Sequence, residues 1–374
     1  MPKKHAYLSA SSAHRWMQCT RSPDMCSDIK EKDSPYAKEG TDAHSLCEHK
    51  VLAALGRDSP DPAKNLGCFD QEMDDCSDEY RNFVMEQAAE AGRRCPDPLV
   101  LVEERLDFSR WVPEAFGTGD CVIVADGLLT IIDFKYGVGV LVSAEDNPQM
   151  RCYALGALDA FGSLYDIQTV RMCIFQPRRD NVSISEIPVE ELLKWAEEEL
   201  MPKAQLAYNG EGEFTAGSHC IFCAAKAVCR ARAEYNLELA RYELEMPSRL
   251  EESEIAGILA RIDGLTAWAS DVKGYALAQA LAGTKYRGFK VVEGRSVRKY
   301  TDEDAAAKAV KDAGYDPYEQ KILGITAMTK LLGKKRFAEL LDGLVHKPPG
   351  KPVLAPESDK RPEMDNIEDA FSDD

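Results

Sequence analysis

One stretch of this chain leaves little freedom in how it folds. Between residues 100 and 175, Asp120-Cys-Val-Ile-Val-Ala125 and Leu128-Leu-Thr-Ile-Ile-Asp-Phe-Lys135 flank Asp126-Gly127. Two β-branched apolar runs separated by Asp-Gly predict a tight hairpin, because the turn needs positive φ and glycine supplies it. Val100-Leu-Val-Glu-Glu-Arg-Leu-Asp-Phe108 partly alternates and predicts a strand before the hairpin. Asn147-Pro148 is an N-cap and N1 pair for a helix over 149–161, and 169–175 reads as a further strand. The order strand, strand, strand, helix, strand predicts an α/β sheet, in a chain whose 374 residues suffice for two domains. Cys121, Cys152 and Cys173 fall inside these apolar runs and read as small buried hydrophobes.

The hairpin also concentrates charge. Asp120 opens one strand and Asp133 nearly closes the other, so pairing across the turn brings the two carboxylates together. Lys135 follows Asp133 by two residues, and the period of a strand puts both on one face. Two carboxylates and an ammonium suit a hard divalent cation, Mg²⁺ or Mn²⁺, which takes oxygen ligands and activates water against a phosphate. The plainer account is a surface ion pair between strands. It leaves unexplained why a charged pair flanks Phe134 at the end of the run Leu-Thr-Ile-Ile. Glu103 and Glu104 are adjacent, so at most one of them faces such a site, and Asp126 is accounted for by the turn.

Twelve cysteines are many for a chain expected in a reducing compartment, where thiols stay unpaired unless they bind metal or do chemistry. Cys220-Ile-Phe-Cys223-Ala-Ala-Lys-Ala-Val-Cys229 is a C-x2-C-x5-C cluster with three thiols spaced for one metal centre. Two completions are open. Zinc would take a neighbouring ligand, most simply His219, whereas a [4Fe–4S] cluster wants a fourth thiolate from elsewhere. Cys19 is a candidate, at the end of Leu8-Ser-Ala-Ser-Ser-Ala-His-Arg-Trp-Met-Gln-Cys19, where a serine opens a short helix with Trp16 on its apolar side.

Together these residues carry a resemblance. Gly119-Asp120, Asp133-Phe134-Lys135 and Gln149-Met-Arg-Cys-Tyr153 resemble the D, (D/E)xK and QxxxY series of the PD-(D/E)XK nuclease superfamily. Gly40-Thr-Asp-Ala-His44 fits the upstream metal-binding histidine of the RecB-like branch. Cys19 with Cys220, Cys223 and Cys229 matches the layout of the AddB-like and CRISPR-associated members, which close the nuclease core with an iron–sulfur cluster. The combination, in order over roughly residues 6–235, gives the match its specificity; each motif alone is weak. The chain also resembles phage and prophage proteins catalogued only as a domain of unknown function.

The resemblance implies a restriction-endonuclease-like core, a mixed sheet flanked by helices. His44, Asp120 and Asp133 would bind the catalytic Mg²⁺ or Mn²⁺, with the Phe134 carbonyl as a further ligand. Lys135 would orient or activate the attacking water. Gln149 and Tyr153, one turn apart on a helix, would touch the DNA backbone or support the site. Cys19, Cys220, Cys223 and Cys229 would hold a structural [4Fe–4S] cluster. The implied activity is a metal-dependent deoxyribonuclease, an exonuclease on single strands or duplex ends in phage replication or recombination, in the cytoplasm of a bacterial host. The alternative is a non-catalytic DNA-binding or scaffold subunit with the same fold, though the intact His, Asp and Lys set weighs against it.

Net charge, −18, opposes DNA binding until it is resolved by position. Residues 285–351 hold 15 Lys or Arg against 9 Asp or Glu, a net +6, and residues 353–374 hold 2 against 8, a net −6. Arg295, Arg298, Lys299, Lys334, Lys335 and Arg336 could supply phosphate contacts; a solvated helix face explains them equally well. The expected organisation is a nuclease domain over 1–235, a helical extension over 236–283, a small basic α/β unit over 284–346 and a disordered acidic tail over 347–374. The helical extension carries Ile255, Ile258, Leu259, Ile262, Leu265 and Trp268 at core-packing spacing. Residues 289–300 read as a hairpin around Glu293-Gly294, and the tail as a hook for phage replication or recombination proteins, or a DNA mimic.

Overall fold

The structure, a computed structural model, describes residues 6–29, 35–239, 250–293, 300–319, 321–346 and 355, with side chains undescribed at 330, 334 and 335. Its centre is a five-stranded mixed sheet in sequence order: β1 (Leu99–Asp107), β2 (Phe116–Ala125), β3 (Leu128–Phe134), β4 (Thr169–Gln176) and β5 (Asn181–Pro188). All neighbours pair antiparallel except β3 with β4, which run parallel because the helix α5 (Pro148–Phe161) crosses between them. The expected turn is there: Gly127 has φ +79°, and Asp126 accepts the Asp166 amide at 3.1 Å, so it braces the turn. Asn147 caps α5 by accepting from the amides of Gln149 and Met150.

The period of two sorts the sheet into two apolar layers. Val122, Val124, Leu129, Ile131, Val170, Met172 and Ile174 face α5, together with Trp16 of α1 (Ala13–Gln18), Trp195 of α6 (Val189–Trp195) and Ala204 of α7 (Met201–Tyr208). Cys121, Ile123, Ile132, Phe134, Cys173 and Phe175 face the other way. They meet Leu46 and Val51 of α3 (Pro35–Ala54) and Met73, Tyr80 and Val84 of α4 (Gln71–Arg94). Asp70 caps α4 by accepting the Met73 amide. Cys121, Cys152 and Cys173 are wholly buried, as their apolar settings predict. Trp16 is also fully buried, although its helix lacks a side-chain cap from Ser12 and the indole instead donates to the Ser9 carbonyl at 3.1 Å.

Beyond residue 229 two expectations fail. The helix after Cys229 is α8 (Arg230–Leu237), and 240–249 lie outside the described residues. The long helix forms as α9 (Glu252–Leu281), but none of its residues is buried, so its apolar stripe is not core. Periodicity reports an amphipathic face, not what covers it. Polar groups hold α9 to its surroundings instead: Asp271 pairs with Arg232 of α8 at 2.7 Å and with Lys226 at 3.1 Å, and Arg261 donates to the Tyr235 carbonyl. The expected hairpin near 289 is the second. Residues 289–293 form no strand, and 294–299 lie outside the described residues. A lone two-stranded hairpin without a sheet to join is marginal in water. The regular structure described within 284–346 is two helices, α10 (Glu303–Asp312) capped by Asp302, and α11 (Ile325–Leu341) kinked at Gly333, which has φ +75°. Of the basic candidates, Arg295, Arg298 and Lys299 lie outside the described residues, as do the Lys334 and Lys335 side chains; Arg336 pairs with Glu339. The acidic tail, apart from Ala355, is likewise outside.

Candidate functional site

The β2–β3 register, continued one pair past Cys121 and Ile132, sets Asp120 opposite Asp133. Asp120 Oδ2 accepts the Phe134 amide at 2.6 Å, which turns Oδ1 toward His44 of α3, 3.3 Å from Nδ1. The sheet thus presents a carboxylate to a histidine from the opposite layer. Phe134 itself is a core residue, its ring edge-on to His44 at 5.4 Å between centroids. On the other face Lys135 Nζ lies 3.0 Å from Asp133 Oδ2. Asp133 is only 3% exposed. Its Oδ2 accepts no aligned hydrogen bond despite the nearby ammonium, which leaves a buried oxygen with lone pairs to offer.

Glu103 completes the cluster. The ladder pairs Val102 with Cys121 and Glu104 with Gly119 but skips Glu103, which stands opposite Asp120 with φ +52°. Left-handed backbone at a non-glycine residue inside a strand costs roughly 1–2 kcal/mol. Here it turns the Glu103 carboxylate to within 3.9 Å of His44 Nδ1. Among the described residues, His44, Glu103 and Asp120 form one group of potential metal ligands with donor atoms within 4.8 Å of one another. Of the adjacent glutamates it is therefore Glu103 that faces the site. The sequence holds no cue to that choice, since nothing in Val-Glu-Glu-Arg marks a positive φ.

Electrostatics fit a site short of positive charge. Burial disfavours the charged His44 ring, but the carboxylates of Asp120, Asp133 and Glu103 outweigh it and hold the ring at about 9. Burial and the charge of Asp120 push Glu103 up to about 7. Burial raises Asp133 against the pull of Lys135, while Lys135, though half-buried, is held above the usual lysine range by Asp133 and Asp120. Lys135 is an ammonium at any physiological pH. Because His44 and Glu103 are both raised, the cation-free protein binds more protons folded than unfolded and loses stability as pH climbs from about 5 to 9. A divalent cation must displace those same protons. Thermal unfolding with and without Mn²⁺ is therefore expected to show a larger Mn²⁺-induced Tm rise at about pH 8.5 than at about pH 6. A rise independent of pH would show that His44 and Glu103 do not compete with the cation.

Gln149 ties the ammonium side together. Its amide nitrogen donates to Asp133 Oδ1 at 3.0 Å and lies 3.3 Å from the Tyr153 hydroxyl, while its oxygen accepts from Lys135 at 3.3 Å. Both residues thus support the acidic site from α5, and Tyr153 is nearly buried. Gly117 on β2 admits that ring: a Cβ there would lie 2.6 Å from Tyr153 Cε1.

The cysteines form a second centre on the α1 and α7 side of the sheet. Cys19, Cys220, Cys223 and Cys229 line one small cavity, together with Arg232 and Lys226. Four thiols around one cavity, with two cations beside them, suit an anionic thiolate-ligated cluster. His219 lines the same cavity, with its Nε2 3.8 Å from Cys220 Sγ. His219 is engaged at both ring nitrogens, with Gln18 Oε1 at 2.8 Å and the Thr215 carbonyl at 2.9 Å. Around a tetrahedral zinc, thiolate sulfurs stand about 3.8 Å apart. Among the described residues no three cysteines come within 4.8 Å of one another. Cys26, which the spacing pattern gave no reason to single out, also comes to this centre, with its sulfur 3.6 Å from that of Cys223.

The fold and the two centres define the chain as a mixed α/β protein with an acidic His-Glu-Asp-Asp-Lys site and a separate cysteine cavity. Residues 5–362 match the family described as "Protein of unknown function (DUF2800)", and the chain belongs to that family. A solved structure titled "Crystal structure of SSO0001" is similar at 12% identity over 59% of this chain and 96% of that one, with a TM-score of 0.22. Among the described residues, no helix is long and apolar enough to cross a membrane.

Proposed function

We propose that this chain is a metal-dependent DNA nuclease of the PD-(D/E)XK, RecB-like kind, acting as an exonuclease on single strands or duplex ends. The observation that carries the reading is the convergence of His44, Glu103 and Asp120 around one point, with Asp133 opposite Asp120 in the strand register and the Lys135 ammonium beside Asp133. Residues 44, 120, 133 and 135 come together from three elements, in the order of the nuclease motifs. A surface ion pair needs neither the buried Asp133 oxygen nor the strained Glu103 backbone.

His44, Asp120, Asp133 and Glu103 would hold a Mg²⁺ or Mn²⁺ ion, with the Phe134 carbonyl as a further ligand. Such an ion supplies Lewis-acid stabilisation of charge developing on the phosphate. Lys135, fixed by Asp133 and Gln149, donates to the attacking water or to a phosphate oxygen. It steadies negative charge in the transition state without giving up its proton. Gln149 and Tyr153 act as positioning residues, and the neutral Tyr153 phenol also lies within reach of Gln149. Cys19, Cys220, Cys223 and Cys229 would hold a [4Fe–4S] cluster with a structural role, closing the N-terminal segment onto residues 220–229. DNA is the substrate, and phage replication or recombination proteins are the proposed partners of the acidic tail.

Glu103→Asn separates this account from a purely structural one. Asparagine tolerates left-handed backbone, and the change removes a carboxylate repelled by Asp120. Tm without metal is expected to hold or rise, while Mn²⁺ affinity by calorimetry falls at least about tenfold. A lowered Tm with unchanged Mn²⁺ affinity would make Glu103 a structural residue and remove it from the site.

A further inference from the structure

Cys26 ends α2 (Ser22–Cys26), and Cys223 follows the 3₁₀ turn at Ser218–Phe222. They are 197 residues apart in sequence, yet their sulfurs are 3.6 Å apart, and both side chains are partly open to solvent. Arg15 points its guanidinium at Cys26 Sγ from 3.7 Å. Cys19 already gives the cavity four thiols, so Cys26 is a fifth, touching one of the four from outside. Closing to a disulfide needs an approach of about 1.6 Å, shared by two side chains at the ends of a short helix and a turn.

We propose that Cys26 and Cys223 are a redox-active dithiol, a chemical site separate from the acidic one, whose substrate class is a low-molecular-weight disulfide such as glutathione disulfide. The Cys26 thiolate attacks one sulfur of the small disulfide, expelling one small thiolate and forming a mixed disulfide. Cys223 thiolate then attacks the Cys26 sulfur, forming the Cys26–Cys223 bond and expelling the second small thiolate. Two electrons pass to the small disulfide, and the two cysteine protons end on the two released thiols. Oxidation takes Cys223 away from the cavity, so the pair gates loading of the cysteine centre. That last consequence, unlike the dithiol chemistry itself, rests on the cluster reading above.

The test treats the full-length chain, stripped of metal with chelator, with glutathione disulfide and maps its cysteines by mass spectrometry. Wild type is expected to go from twelve free thiols to ten, with one Cys26–Cys223 cross-linked peptide that dithiothreitol releases. Cys223→Ser is expected to trap glutathione on Cys26, and Cys26→Ser to yield no cross-link. A glutathione adduct that persists on wild-type Cys26, a cross-link between other cysteines, or no reaction overturns the proposal. Iron–sulfide reconstitution then tests the gate: oxidised wild type takes up little iron, and identically treated Cys26→Ser takes up a full complement. Equal uptake by the two overturns gating. If reduced wild type also takes up no iron, the cluster reading fails, while the peptide map still decides the dithiol.

Discussion

Replacing Lys135 with alanine is expected to lower metal-dependent DNA cleavage by at least about a thousandfold while leaving a folded protein. Positioned proton donors and charges of this kind contribute about 10²–10⁴ in rate. Here the ammonium is the one cation within reach of both Asp133 and Gln149 among the described contacts. Removing a partner from a buried pair can cost about 3–5 kcal/mol. The expected cost is less, because burial already raises the Asp133 carboxyl and it can take up a proton in place of the lost cation. Lys135→Met keeps the buried stem and serves as the gentler variant. Circular dichroism and thermal melts of both, beside a labelled-DNA assay, check the prediction. Retained cleavage in either well-folded variant would remove Lys135 from the mechanism.

Cys220→Ser carries the second large effect, on stability. A cluster held by Cys19 and the three later cysteines would close a loop of about two hundred residues. In chain-entropy terms such a cross-link contributes about 5 kcal/mol. Other contacts span the same gap: Thr20 Oγ1 donates to the Glu211 carbonyl at 2.9 Å, and His219 meets Gln18. The apo protein therefore keeps part of its closure. Anaerobically purified wild type is expected to be brown with about four irons per chain. Cys220→Ser is expected to be colourless, with a Tm lower by about 5–10 °C. A colourless, iron-free wild type of equal Tm would refute the cluster, and stoichiometric zinc would replace it with another metal.

Much of the core and half of the site could be read from residue order. The hairpin and its register followed from Asp126-Gly127 and the period of two, and the opposition of Asp120 and Asp133, with Lys135 on the same side as Asp133, came with them. Gln149 was placed by the Asn147 cap. Glu103 was not, because its role depends on a positive φ that no local residue pattern announces. Cys26 was missed for a related reason: its approach to Cys223 is set by how α1 and α2 pack near residues 220–229, a tertiary fact without sequence spacing. The α9 stripe misled because helical periodicity is the same whether a partner covers it or solvent does.

The central claim is that the acidic site hydrolyses DNA, and it is tested most directly on the wild-type chain. End-labelled single-stranded and duplex DNA are incubated with Mn²⁺, with Mg²⁺ and with EDTA, and an Asp120→Asn variant runs alongside. Progressive shortening of the labelled strand with Mn²⁺ or Mg²⁺, absent in EDTA and in the variant, is the predicted result. Wild-type protein that binds Mn²⁺ at His44, Glu103, Asp120 and Asp133 yet leaves every DNA substrate intact would contradict the claim and make the chain a binding or scaffold subunit.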